Sequence, residues 1–289
     1  MIRTLALAAL LAPAVAGAQS FDELMAKGRA QMDSGKSDDA VKIFEKAVKA
    51  NEQSSVAHFM LARALGNVAE KASILRQPFL AKRVKSEFEK TVALDPTSWE
   101  GHEGLLQFYL RAPGVMGGSI NKARDEAATI AKINPYRGYF AENNLANNEK
   151  DLARVEKNWR ALYAAYPDST QALANLASFL SNNNRAEEAL PITEKFLSGH
   201  PENVLAKWWF ARTTAVTGRQ MDRGEQIMRQ LLTIPVGQSP RVGYDALHYR
   251  LGDIYAKRGD KTKAKAEYEE ALKINPKLEQ AKKALEALK

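Results

Sequence analysis

Pro96, Pro135, Pro167, Pro201, Pro235 and Pro276 follow one another at intervals of 39, 32, 34, 34 and 41 residues, and most close an apolar-periodic segment such as "VALD" or "ALKIN". Proline lacks an amide hydrogen and fixes φ, so it ends a helix that would otherwise run on. A helix stop that returns about every 34 residues points to a chain built of helical hairpins.

The clearest unit is "DALHYRLGDIYAKRGDKTKAKAEYEEALKINP", residues 245–276. It places Leu251, Gly252 and Tyr255 in a first helix and Ala264, Tyr268 and Ala271 in a second, with Gly259 near the turn. With Pro276, these residues stand at the signature places of the tetratricopeptide repeat, which the unit closely resembles. The pattern recurs in register: Gly28, Ala40, Phe44 and Ala47; Ala177, Leu180, Ala189 and Phe196; Phe210, Ala211, Ile227 and Pro235. Repeats are expected at about 21–54, 55–98, 99–137, 138–169, 170–203, 204–237 and 245–278, followed by a capping helix at 278–289 whose Leu278, Ala281, Leu285 and Leu288 form one stripe. Three are degenerate. The third has Leu106 where a small residue is usual, the fourth is two residues short, and Arg223 stands in the sixth where alanine is expected. The resemblance implies an all-α, right-handed superhelical solenoid of about seven hairpins with a concave face lined by the first helices.

Two repeats carry insertions. The second has about ten extra residues around "GNVAEKASILRQP", after which Pro78 starts a helix with Leu80, Val84, Phe88 and Val92 on one face. The third has about five, in "APGVMGGS". A glycine-rich stretch ahead of a helix can cradle phosphate, but a P-loop needs a preceding strand and Lys-Ser/Thr after the last glycine. Here a helix, "GHEGLLQFYLR", precedes it, so the stretch reads as an elongated turn that Ser119 caps.

The opening "MIRTLALAALLAPAVAGAQS" has the layout of a signal peptide cut after Ala18, which implies a periplasmic or secreted mature chain, residues 19–289. The apolar run is shorter than the about 20 residues a spanning helix needs. There is no cysteine, so the fold rests on core packing alone. The formal charge is +8, but Lys and Arg alternate with Asp and Glu in stretches such as "DKTKAKAEYEEALK", as on a solvated helix face. Export argues against nucleic acid and leaves acidic envelope polymer or lipid head groups as alternative partners for the basic excess.

No cysteine nucleophile, HExxH, GxSxG or convergent carboxylate pair is legible, and the repeats account for nearly all of the chain, so a non-enzymatic protein without cofactor or metal is expected. His58, His102 and His248 fall at one repeat position, a packing pattern; a metal site joining His58 and His102 near Glu103 is the sharper but weaker reading. The resemblance implies an adaptor or scaffold that binds a protein or peptide. Carried over from the family, the groove would present Arg29, Phe59, Arg63, Gln107, Asn143, Asn175, Trp208, Arg212, Tyr249 and Asp253. Rings would cover apolar side chains and amides would meet main-chain groups. One of Trp208 and Trp209 is expected inside and the other exposed. Val115 and Met116 of the inserted loop would either close over a ligand or fold back as a plug.

Overall fold

A computed structural model describes residues 19–235 and 242–288. The expected signal peptide lies outside the described residues, as do 236–241 at the end of the sixth repeat. The described residues form fifteen α-helices and no strand. In order they pair as α1 (Phe21–Asp33) with α2 (Ser37–Ala50), α3 (Ser55–Lys71) with α4 (Gln77–Leu94), and α5 (Trp99–Arg111) with α6 (Ile120–Ile133). Then come α7 (Pro135–Asn148), α8 (Leu152–Ala165), α9 (Thr170–Asn182) with α10 (Ala186–Gly199), α11 (Val204–Thr217) with α12 (Met221–Leu232), α13 (Tyr244–Lys257) with α14 (Lys261–Ile274), and the capping helix α15 (Glu279–Ala287).

The chain divides into two compact units, residues 1–148 and 149–289, so the two helices of the fourth repeat belong to different units. In the first, each helix packs on the next, and α1, α3, α5 and α7 also pack side by side. In the second, α9, α11 and α13 do the same. First helices therefore form one layer of each unit and second helices the other, which is the build of a helical-hairpin solenoid.

The packing code is a glycine under a ring. A Cβ on Gly28 would lie 2.4 Å from the Phe44 ring, and one on Gly252 would lie 2.4 Å from Tyr268 of its own hairpin. In the third repeat the sizes are exchanged. Leu106 is fully buried where Gly28 and Gly252 stand, and Ala127 takes the place of the ring. The expected degeneracy is thus a transfer of volume across the same layer. In the sixth, the small residue is Gly224 rather than the position of Arg223, because α11 runs one residue further beyond Ala211 before its turn. Arg223 is free to pair with Glu194 at 2.7 Å.

The first helices also share an N-cap. Ser20, Ser54, Ser98, Ser169 and Asn203 each accept from the amide three residues on. The exceptions are α13, whose N-cap residue Gly243 has no side chain to accept with, and α7. Helices α5, α9, α11 and α15 begin three residues beyond a proline, whereas Pro135 is itself the first residue of α7. The three-residue turn between repeats is missing there, which accounts for the short fourth repeat and moves its first helix forward of the expected boundary at 138.

Candidate functional site

Two adjoining clefts open on the first-helix layer of the first unit and share Phe59, Arg63 and Glu100. The smaller, about 440 Å³, is lined by Arg29 and Met32 of α1 together with α3 residues. The larger, about 900 Å³, lies among α3, α4, α5 and the turn that follows α5. Its floor is Phe88, whose ring rests on Gly104 so closely that a Cβ there would be 2.3 Å away. Phe59 stands 6.1 Å from Phe88, centroid to centroid, and Trp99, Phe108 and Val84 complete the apolar walls. Gln107 and Glu103 reach in from α5.

The charges at this cleft are only partly neutralised. Arg63 lies over the Phe59 ring at 5.6 Å and makes no ion pair among the described residues. Glu100 and Glu103 have no salt-bridge partner there either, and burial pushes the Glu103 carboxyl above its ordinary range against the opposing pull of Arg137. Arg137 stacks on Trp99 at 4.4 Å. Aromatic faces with unpaired charges of both signs suit a segment carrying apolar and charged side chains together.

The glycine-rich stretch forms the rim. Residues Gly114–Met116 make one 3-10 turn that packs against α4. The amides of Met116, Gly117 and Gly118 donate to Pro113 and Gly114 carbonyls, and that of Ser119 donates to the Tyr109 carbonyl at 3.0 Å. These four donors are engaged within the protein, so the turn offers no row of amides to a phosphate. Gly117 has φ +96°, and a Cβ on Gly118 would sit 1.8 Å from the Ala112 carbonyl oxygen; Gly114 has neither constraint. Met116 is half-buried in the cleft wall, while Val115 points into solvent.

Arg29, Phe59, Arg63, Gln107 and Met116 are thus brought together. Asn143 is not. It is 2% exposed, and neither its amide nitrogen nor its oxygen has a partner. The missing turn before Pro135 shifts α7 so that Asn143 takes the buried small-residue place rather than a groove place. The remaining expected residues belong to the second unit. Asn175 keeps a buried, unpartnered amide nitrogen. Trp208 and Trp209 are both half-buried against the core, so neither is the fully exposed member of the pair. The Arg212 guanidinium covers Trp209 at 4.7 Å and has no carboxylate partner among the described residues, and burial together with neighbouring Arg250 lowers its pKa to about 10. Asp253 is not free for a ligand: it accepts from Arg250 at 2.7 Å and from the Tyr268 hydroxyl at 3.0 Å.

Sequence reasoning missed what the three aligned histidines do. Nδ1 of His58, His102 and His248 meets Glu87, Glu126 and Glu267 on the second helix of the same hairpin, at 2.5, 2.6 and 2.7 Å. The other ring nitrogen of His58 and of His102 faces a backbone carbonyl, of Glu52 and Pro96, each at 3.1 Å. With an oxygen facing each nitrogen, these two rings are held from both sides, which is tertiary pinning. Among the described residues no three His, Asp or Glu side chains gather as a metal site would require.

Two segments match family models described as tetratricopeptide repeat, residues 25–74 and residues 246–278. The chain is similar in fold to a tetratricopeptide repeat protein from Parabacteroides merdae, with 15% identity, a TM-score of 0.54, and coverage of 93% of this chain and 98% of that one. It is likewise similar to the C-terminal part of a TPR repeat-containing protein from Cytophaga hutchinsonii, with 14% identity, a TM-score of 0.51, and coverage of 92% and 99%. No curated protein matches at the same stringency.

Proposed function

From the premise that the chain is a tetratricopeptide-repeat protein, we propose that it is a non-enzymatic adaptor whose first unit holds an extended peptide segment of a protein partner. The observation that carries this reading is the pair of adjoining clefts on the first-helix layer, with Phe59, Phe88, Trp99 and Phe108 as apolar walls and Arg63, Glu100 and Glu103 without ion-pair partners among the described residues. Apolar side chains of the segment would enter between the rings, and a basic one would meet Glu100 and Glu103. In the second unit taken by itself, Arg212 on Trp209 is a place for a carboxylate. The N-terminal sequence supports action in the periplasm or outside the cell.

Panning a displayed random-peptide library against the chain tests this. Enriched peptides should combine apolar and basic residues and lose about tenfold or more in affinity for a Phe59→Ala, Gln107→Ala double variant. Peptides that bind that variant equally, or that all release when salt rises beyond about 0.5 M, would move the site off the cleft and favour charge-driven binding to an acidic polymer.

A further inference from the structure

The two inserted turns break the usual chemistry of turns. Arg76 donates its amide to the Ser73 carbonyl at 2.9 Å, which puts Ile74 and Leu75 at the two corners of a tight turn. Met116 donates to Pro113 at 2.8 Å, which puts Gly114 and Val115 at the corners of the other. Corner positions ordinarily carry Gly, Pro, Asn, Asp or Ser, whose backbone freedom, fixed φ or short hydrogen-bonding side chains suit the turn, and not large apolar residues. Here Ile74 and Leu75 are each 80% exposed and Val115 is 97% exposed, while Phe79, one turn into α4, is 75% exposed. Both turns join a first helix to its second and therefore lie at the same edge of the stack, and the 3-10 turn packs against α4 itself.

The charge around this edge selects what covers it. Residues 70–85 contain five basic side chains and one acidic one, Glu70. Glu70 is paired with Arg111 at 3.7 Å, Arg83 with Glu45 and Lys85 with Glu89. Lys71, Arg76 and Lys82 are exposed and make no ion pair among the described residues. Large apolar side chains at turn tips, ringed by unneutralised cations on long stems, match the interface of an anionic bilayer: the tips enter the acyl boundary and the cations stay at the head groups. A protein surface would have to supply an apolar hollow and several carboxylates in register. A bilayer supplies both without shape.

We propose that this edge of the first unit is a peripheral docking surface for anionic lipid membranes, with Ile74, Leu75, Phe79 and Val115 as the inserting side chains. The chain has no cysteine, so one probe site can be introduced cleanly. Leu75→Cys and, at the opposite edge, Gln53→Cys are each labelled with an environment-sensitive dye and mixed with phosphatidylcholine vesicles with or without about one third phosphatidylglycerol. The proposal expects a blue shift at position 75 with anionic vesicles only, and none at position 53. An Ile74→Ser, Leu75→Ser, Phe79→Ser variant should melt as the parent does and cosediment on the order of 100-fold more weakly. Both chains begin at Gln19, the expected mature start, so that the N-terminal apolar segment does not itself bind the vesicles. Equal shifts at both positions, equal cosedimentation of parent and variant, or no vesicle binding together with self-association that the variant abolishes, would each overturn it, the last in favour of a second copy.

Discussion

His58 and Glu87 meet in a buried setting, with 4% and 11% of their side chains exposed. Removing one partner there leaves the other without its hydrogen bond in a place water does not reach. Glu87→Ala is therefore expected to lower the unfolding free energy by about 3 kcal/mol, and Glu87→Gln by less, measured by urea denaturation; an unchanged midpoint for Glu87→Ala would show that water takes over the contact. The histidines were legible in the sequence as an aligned set, but their glutamates were not. The pair separations are 29, 24 and 19 residues. They differ by about the lengths of the two insertions, so a search at one fixed spacing cannot align them. The usable signal was local to the second helix, where each glutamate directly precedes Phe88, Ala127 or Tyr268. Asn143 failed for a related reason. It lies in the repeat whose proline opens the first helix instead of preceding it, so the register carried over from the other repeats does not hold there.

Among elements, the turn between α5 and α6 shows how much a glycine-rich stretch can hide. Its place as an insertion within a hairpin, and Ser119 as the cap of α6, follow from the sequence. Which glycines matter does not, since that depends on where the Ala112 carbonyl points. Gly118→Ala is expected to cost about 2 kcal/mol by forcing the turn apart, whereas Gly114→Ala should stay within about 0.5 kcal/mol of the parent. Thermal melts of the two variants check this, and equal melts would mean the turn is not held as described. Three of the Ser and Asn caps of the first helices, Ser98, Ser169 and Asn203, were also in plain view, two residues beyond a proline. Periodicity of apolar residues alone passes over them because they are polar and lie outside the helices.

At the scale of the whole molecule, the chain divides into two units, and many of the basic side chains of the second are paired across helices. There, Arg160 pairs with Glu188, Arg223 with Glu194 and Arg229 with Glu267, linking α8, α10, α12 and α14 in series. Burial pushes the Glu225 carboxyl up, but hydrogen bonds from Tyr255, Arg258 and Arg229 outweigh it and hold the pKa at about 2. A carboxyl whose folded pKa is depressed stabilises the fold above its unfolded value, about 4.3, and loses that contribution as pH falls toward 2. Hydrogen exchange at acid pH should therefore show α12–α14 losing protection before α1–α4; simultaneous loss would assign the acid response elsewhere. Both units share one further property. Contacts run between helices that are adjacent or next-adjacent in order, so structure can be laid down in the sequence in which the chain emerges. Every cleft residue from Arg29 to Met116, and both exposed turns, belong to the first 119 residues. On the function proposed above, the chain would have its binding face complete while its second half is still being made, and a partner present at that moment could meet it before synthesis is complete.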